Sequence, residues 1–181
     1  VVLMGRYPHL STFALEGPRD LEIARRAMEA TGTAALADRP FSTLSGGEKQ
    51  RVIIASALAQ LENGPDGPAR YLLLDEPTAS LDLGYQLEIA GLVARLREAR
   101  RLGIVVSAHD LNLAAAVCDR LVLLRGGRVL AQGPTREVLT PAAIRATYGV
   151  EAEVALHPAA GRLVVVPLAR ETTCPSPGPG C

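Results

Sequence analysis

The stretch that most narrows the fold is Tyr71-Leu72-Leu73-Leu74-Asp75-Glu76. Its apolar residues run without polar alternation and end in two adjacent carboxylates. A strand of this kind is expected to be covered on both faces, as in parallel sheets flanked by helices. Ile104 to Ser107 repeats the pattern. Between them, Asp82 to Arg101 has helical periodicity, with Leu87, Leu92 and Leu96 expected on the inward face and Gly103 as terminator. Strand, helix, strand in that order predicts a right-handed parallel crossover, and so an α/β fold. Open sheets of this class bind ligands at the carboxyl ends of their strands. Asp75 there suits a hard cation such as Mg²⁺, held directly or through water, and Glu76 can polarise an attacking water. At this point a strand that simply ends in solvated acids is an equal alternative.

A second constraint comes from Leu44-Ser45-Gly46-Gly47-Glu48-Lys49-Gln50-Arg51. Ser45 and Glu48 have the spacing of a reciprocal capping box, so a helix is expected through the apolar run Val52 to Leu61. Gly46 and Gly47 would present backbone N–H groups and the positive end of the helix dipole, both attractive to a phosphate. A Cβ at either position would hold an anion away from the backbone. The competing reading is a glycine-containing cap and nothing more. His109 follows the second buried strand, which puts it on the same sheet edge as Glu76, where an imidazole can donate to a phosphate or order a water.

The rest of the chain reads as short elements separated by strong breakers. Val1 to Met4 is apolar, and Gly5-Arg6-Tyr7-Pro8-His9 is expected to be a loop because proline resists helix continuation. A helix is expected from Pro18 to about Thr31, stopped by Gly32, with Leu21, Ala24 and Met28 on one face. Pro40 to Thr43 is a connector, and residues 63–68 are a loop by composition. Asp110 can cap a helix from Leu111 to about Cys118. Arg120 to Arg125 and Arg128 to Gln132 flank Gly126-Gly127 as a hairpin. Pro134 to Leu139 and Pro141 to Tyr148 read as short helices, and Val150 to Leu156 with Leu163 to Leu168 as a final hairpin. From Glu171 a Pro/Gly/Ser-rich tail is expected to be disordered.

Composition excludes several classes. With 19 basic and 19 acidic residues the formal net charge is +0, which argues against a nucleic-acid-binding surface. The cysteines, Cys118, Cys174 and Cys181, match neither a zinc site nor a compact disulfide framework, as expected of a reducing cytosol. No apolar run approaches the roughly 20 residues needed to cross a bilayer.

Together these motifs resemble the ATP-binding-cassette ATPases over about Val1 to Leu139. Leu44 to Glu48 is similar to the family's signature sequence and Tyr71 to Glu76 to its Walker B strand and catalytic glutamate. Ser80-Leu81-Asp82 is similar to the D-loop, and His109 to the switch histidine. The resemblance implies a P-loop NTPase-like parallel sheet with helices on both faces and a helical subdomain, incomplete at the N-terminus. It further implies that Asp75 holds Mg²⁺ through water, Glu76 is the general base and His109 contacts the γ-phosphate. Ser45, Gly46 and Gly47 would bind ATP carried by the opposite subunit, and Asp82 would connect the two sites. The Gly5-Arg6-x-Pro8-His9 pattern looks like the subfamily that energises import of iron-siderophore, haem or cobalamin.

The implied partners are a second ATPase subunit in a homodimer, transmembrane permease subunits and, indirectly, a solute-binding protein, with no nucleic acid. The implied location is peripheral, on the cytoplasmic face of the bacterial inner membrane. The implied organisation is a partial ATPase domain over 1–149, split into a helical subdomain (5–62) and a core subdomain (69–149). A β extension over 150–170 and the tail follow.

One departure carries weight. A P-loop needs G-x-x-x-x-G-K-[ST], and the sole lysine, Lys49, lies inside the signature helix. The chain is therefore expected to be truncated before Val1, to expose apolar sheet edges, to bind ATP poorly and to hydrolyse it negligibly by itself. The alternative in a different class is a non-catalytic protein that docks on a permease or on a complete ATPase.

Overall fold

The computed structural model describes residues 1–11, 13–62, 69–79, 81–99 and 102–170. The chain divides into two compact units, Val1–His109 and Asp110 onward.

In the first unit, Val2–His9 forms a 3₁₀ helix with Pro8 inside it, where an apolar segment to Met4 and a loop over Gly5 to His9 were expected. Proline's fixed φ is compatible with 3₁₀ geometry, and tertiary packing supplies the rest. Gly5 lies so close to the helix Gly46–Leu61 (α2) that a Cβ there would stand 2.1 Å from the Ser56 carbonyl oxygen. Arg6, also buried, donates to the carbonyls of Ala59 at 2.8 Å and Glu62 at 3.0 Å and pairs with Asp20 at 3.0 Å. It thereby adds donors at the end of α2, where intrahelical partners run out and Ala59 otherwise accepts only a 3.4 Å bond from the Glu62 N–H among the described backbone groups.

Helix α1 spans Pro18–Ala30, with Pro18 in its first turn and Gly17 donating to the Asp20 carboxylate. The Arg6 guanidinium and, after it, that N–H hold the Asp20 carboxyl below the usual carboxylate range. The inward residues of α1 are Ile23, Ala24 and Ala27. Leu21, Ala24 and Met28 do share a face, which lines a cavity of about 390 Å³ together with Phe41, Leu44 and Val52. The connector at Phe41–Thr43 is a single 3₁₀ turn.

Strands β1 (Arg70–Asp75) and β2 (Leu102–Ser107) pair in parallel around helix α3 (Leu83–Ala99). The register sets Leu72 opposite Ile104, Leu73 opposite Val105 and Asp75 opposite Ser107. Leu72 and Leu74 are buried with Ile89, Leu92, Val93 and Leu96 of α3 in the core of this unit. Each such side chain contributes about 1.5–3 kcal/mol when fully buried.

Two expectations are corrected here. Among the described residues the strands are covered on one face only, since Tyr71, Leu73 and Val105 are exposed on the other, Leu73 by 73%. The apolar surface left open is thus a sheet face as well as an edge. Leu87 is 56% exposed, because the buried stripe of α3 runs through Ile89, Leu92, Val93 and Leu96. The expected loop at 63–68, Ser80, the last residues of the expected α3 (Arg100 and Arg101) and the tail from Glu171 lie outside the described residues.

The second unit begins with α4 (Leu111–Val117), capped by the Asp110 carboxylate, which accepts from the N–H groups of Asn112 at 2.8 Å and Leu113 at 3.1 Å. The hairpin of β3 (Arg120–Arg125) and β4 (Arg128–Pro134) turns at Gly126-Gly127. Helices α5 (Thr135–Val138) and α6 (Pro141–Tyr148) follow, then the hairpin of β5 (Val150–His157) and β6 (Arg162–Arg170). Its core is Leu121, Leu123, Val138, Leu139, Ile144, Ala152 and Val165. The 150–170 hairpin therefore shares a core with β3 and α6 and does not stand apart. The Asn112 side chain both donates to and accepts from the Val165 backbone, at 3.1 and 2.8 Å.

Candidate functional site

Two polar clusters hold the residues singled out in the sequence. The first is at the carboxyl ends of β1 and β2. Because Asp75 and Ser107 are register partners, the Ser107 hydroxyl donates to the Asp75 carboxylate. The same serine accepts from the Glu76 N–H, through its backbone carbonyl and its hydroxyl oxygen, each at 3.1 Å.

These bonds hold Glu76 at φ +41°, a left-handed conformation that costs a non-glycine residue of order 1 kcal/mol or more. Its carboxylate Oε1 lies 3.4 Å from Nδ1 of His109. Both side chains are open to water, Glu76 by 51% and His109 by 73%. This cluster is an exposed edge, and the cavity lined by Phe41 and Leu44 is a separate feature of the same unit.

The donor set is chemically suited to a strongly hydrated cation. It offers the carboxylates of Asp75 and Glu76 beside the Ser107 hydroxyl, and among the described residues no group of three or more acidic, histidine or cysteine side chains could cage a metal ion. Mg²⁺ characteristically keeps several waters and takes one or two carboxylates plus phosphate oxygens. The residues present fit that requirement.

The second cluster is the start of α2. The Ser45 hydroxyl oxygen accepts from the Glu48 N–H at 3.2 Å and the Glu48 carboxylate accepts from the Ser45 N–H at 2.7 Å, closing the capping box. The Ser45 backbone bond, followed by the charge of Arg39, holds the Glu48 carboxyl below its ordinary range. Because Ser45 serves the cap as an acceptor, its hydroxyl proton is left to donate elsewhere. Gly46 is exposed and Gly47 is buried.

Asp82 lies next in sequence to Leu81, whose Cδ2 a Cβ on Gly46 would meet at 3.4 Å. It begins α3, its carboxylate accepting from the Tyr85 N–H at 3.1 Å and its carbonyl from the Gln86 N–H at 2.9 Å. Ser80 of the same motif is outside the described residues.

The structure thus joins Asp75, Glu76 and His109 in one cluster and Ser45, Gly46 and Gly47 in another, with Asp82 at the start of α3 between Leu81, which approaches Gly46, and Tyr85, which approaches Gly47. Sequence reasoning missed Ser107 and Arg6. Ser107 was legible only through register, since it is the partner of Asp75, and Arg6 belongs to a loop-like stretch with no periodicity to betray a buried side chain.

Residues 7–79 match the ABC transporter family. The hemin import ATP-binding protein HmuV of Gloeobacter violaceus is 52% identical over 168 residues, covering 93% of this chain and 60% of that protein. The cobalamin import ATP-binding protein BtuD of Halobacterium salinarum is 44% identical over 173 residues, covering 96% of this chain and 41% of that one. A structure described as an inward-facing conformation of a metal-chelate type ABC transporter superposes with a TM-score of 0.82 at 31% identity, over 92% of this chain and 65% of its own. The cbiO1 structure from Clostridium perfringens, part of the ABC transporter complex cbiONQ, gives 0.65 at 28% identity, over 81% and 56%. The chain therefore spans about two fifths to two thirds of the length of these relatives. By matched segment, relatives and fold, the chain belongs to the ATP-binding-cassette family.

Proposed function

We propose that this chain is part of the ATP-hydrolysing subunit of an importer for haem, cobalamin or an iron chelate, and that it carries the water-activating edge and the signature turn. The observation that carries this reading is the Glu76–His109 pair at the strand ends, with Glu76 held in a strained backbone conformation by Ser107. Strain of this kind persists where surrounding bonds over-determine it, and it clusters at sites of chemistry. The relatives named for hemin and cobalamin import support the solute class.

In this reading Glu76 accepts the proton of the attacking water as general base, and His109 orients that carboxylate and the γ-phosphate. Asp75, steadied by the Ser107 hydroxyl, would hold Mg²⁺ through water. Bound with ATP, the ion would supply neutralisation of phosphate charge. Ser45, Gly46 and the first-turn N–H groups of α2 would meet a nucleotide carried by a second ATPase subunit, with Asp82 linking the two sites. Permease subunits, and through them a solute-binding protein, complete the proposed assembly at the cytoplasmic face of the membrane. No helix among the described residues is long and apolar enough to cross a membrane.

The 181 residues contain no G-x-x-x-x-G-K-[ST] stretch, which favours a second reading as a docking protein without turnover. Nucleotide binding separates the two. The chain by itself should bind ATP weakly and hydrolyse it negligibly, whereas a protein with a P-loop-bearing segment ahead of Val1 should turn ATP over. Absence of turnover in that completed protein supports the docking reading, and tight ATP binding by the chain alone contradicts the division of labour proposed here.

A further inference from the structure

We propose that Tyr85 is a positioning residue for the Ser45–Gly47 turn, and that position 47 is glycine to admit the Tyr85 ring, whereas position 46 leaves backbone open to a ligand. The functional half of this inference rests on the role of the turn proposed above.

The two glycines differ in what a side chain would meet. A Cβ on Gly47 would stand 2.2 Å from Cδ1, 2.6 Å from Cγ and 2.8 Å from Cε1 of Tyr85. All three atoms belong to a rigid ring, and Cγ is its root, so the ring cannot yield without swinging the whole side chain. A Cβ on Gly46 would meet only Leu81 Cδ2 at 3.4 Å, the tip of a flexible side chain. Gly46 is correspondingly exposed and Gly47 buried.

Tyr85 is itself fixed from the Asp82 side. The Asp82 carboxylate accepts its N–H, so the ring is attached to the first turn of α3. One turn further along both helices, Arg51 of α2 pairs with Glu88 of α3. Positions 47 and 51 are four apart and positions 85 and 88 three apart, so both contacts lie on the same facing stripes. The ion pair is partly exposed and contributes little alone, which leaves the contact of the half-buried Tyr85 ring with the buried Gly47 as the main rung. The signature turn and Asp82 are thereby made parts of one body in a single chain, and a displacement of either is carried to the other.

A cycle of Gly47→Ala and Tyr85→Ala tests this, read by denaturant unfolding of the chain. Gly47→Ala alone should cost roughly tenfold or more in the folding equilibrium through overpacking. In the Tyr85→Ala background it should be neutral or slightly favourable, because alanine is the better helix former. Tyr85→Phe should match the parent, since the ring and not the hydroxyl makes the contact. Equal costs of Gly47→Ala in both backgrounds would overturn the proposal. Should Tyr85→Ala fail to fold, Tyr85→Leu serves in the same cycle with the same two outcomes.

Two further readouts separate positioning from plain stability. In folded Tyr85→Ala, amide exchange at Gly46 to Glu48 should accelerate while that of α1 stays unchanged; uniform acceleration would contradict a local role. ATP-dependent association with a P-loop-complete cassette should weaken about tenfold in Tyr85→Ala and recover in Tyr85→Phe, the scale expected when a binding group is misplaced. Unchanged association in Tyr85→Ala overturns the positioning role. If the parent chain shows no such association, the trans role of the turn fails while the mutant cycle still decides the Gly47–Tyr85 contact.

Discussion

The cap of α2 and the edge of β1 and β2 are both polar sites at the end of a regular element, yet they are built in opposite ways. The cap is local: Ser45 and Glu48 are three residues apart and satisfy one another whatever else the chain does. The edge is assembled over long range. Asp75 and Glu76 acquire their geometry from Ser107, and Glu76 meets His109, only because β1 and β2 pair in one particular register. The cap stores no backbone strain, whereas the edge holds Glu76 at positive φ. A local device suits the passive task of presenting N–H groups; a strained, register-dependent one suits a group that must be aimed at a reacting atom.

That contrast can be broken most forcefully at Glu76. In a protein completed with a P-loop segment, Glu76→Gln should lower hydrolysis by about 10²–10⁴-fold, the usual span for a general base, while ATP stays bound. Single-turnover kinetics measures this, and brisk cleavage would remove Glu76 from that role. Next in size, Ser107→Ala should release Glu76 from its strained conformation. Hydrolysis in the completed protein should fall about tenfold, with a stability loss near 1 kcal/mol for the lost hydroxyl bonds. If turnover and the His109 resonance are unchanged, the long-range construction of the edge is not what sets its geometry.

At the cap the effects are smaller and confined to stability. Ser45→Ala should destabilise the chain by about 1 kcal/mol in urea unfolding, and Ser45→Asp should restore most of it. The smallest expected effect is a pH dependence. The Glu48 carboxyl sits below its ordinary value near 4.5 in the folded chain, so its contribution is fully present above that pH. It is lost as pH falls through the depressed folded value. Unfolding followed between pH 6 and pH 3 should show this slope shrink in Glu48→Gln. An identical slope in both would mean that the capping box does not hold the carboxylate ionised.

How much of this was legible in the sequence follows the same line. The capping box, the Asp110 cap and the Gly126-Gly127 turn were read correctly because each is a property of a few adjacent residues. The parallel pairing of β1 and β2 was also legible, from two apolar runs separated by a helical pattern. What escaped depended on distant partners. Gly5 to His9 looked like a loop because the 3₁₀ form of Val2–His9 is held by Gly5 against Ser56 and by Arg6 on Ala59 and Glu62, half a unit away in sequence. Tyr71, Leu73 and Val105 read as doubly buried because an apolar strand calls for cover on each face; among the described residues only the Leu72 and Leu74 face receives it. Leu87 looked inward with Leu92 and Leu96, but the buried stripe of α3 runs through Ile89, Leu92, Val93 and Leu96 and leaves Leu87 to one side of it.

The difference between cap and edge is tested most directly by complementation. This chain can be mixed with either of two P-loop-complete versions of itself, one carrying Ser45→Arg and the other Glu76→Gln, and ATP hydrolysis measured. If the cap serves a nucleotide held by the opposite subunit and Glu76 serves the nucleotide of its own, the chain should restore hydrolysis to the Ser45→Arg partner. It should leave the Glu76→Gln partner inactive. Restoration of the Glu76→Gln partner instead, or of both equally, would contradict that division.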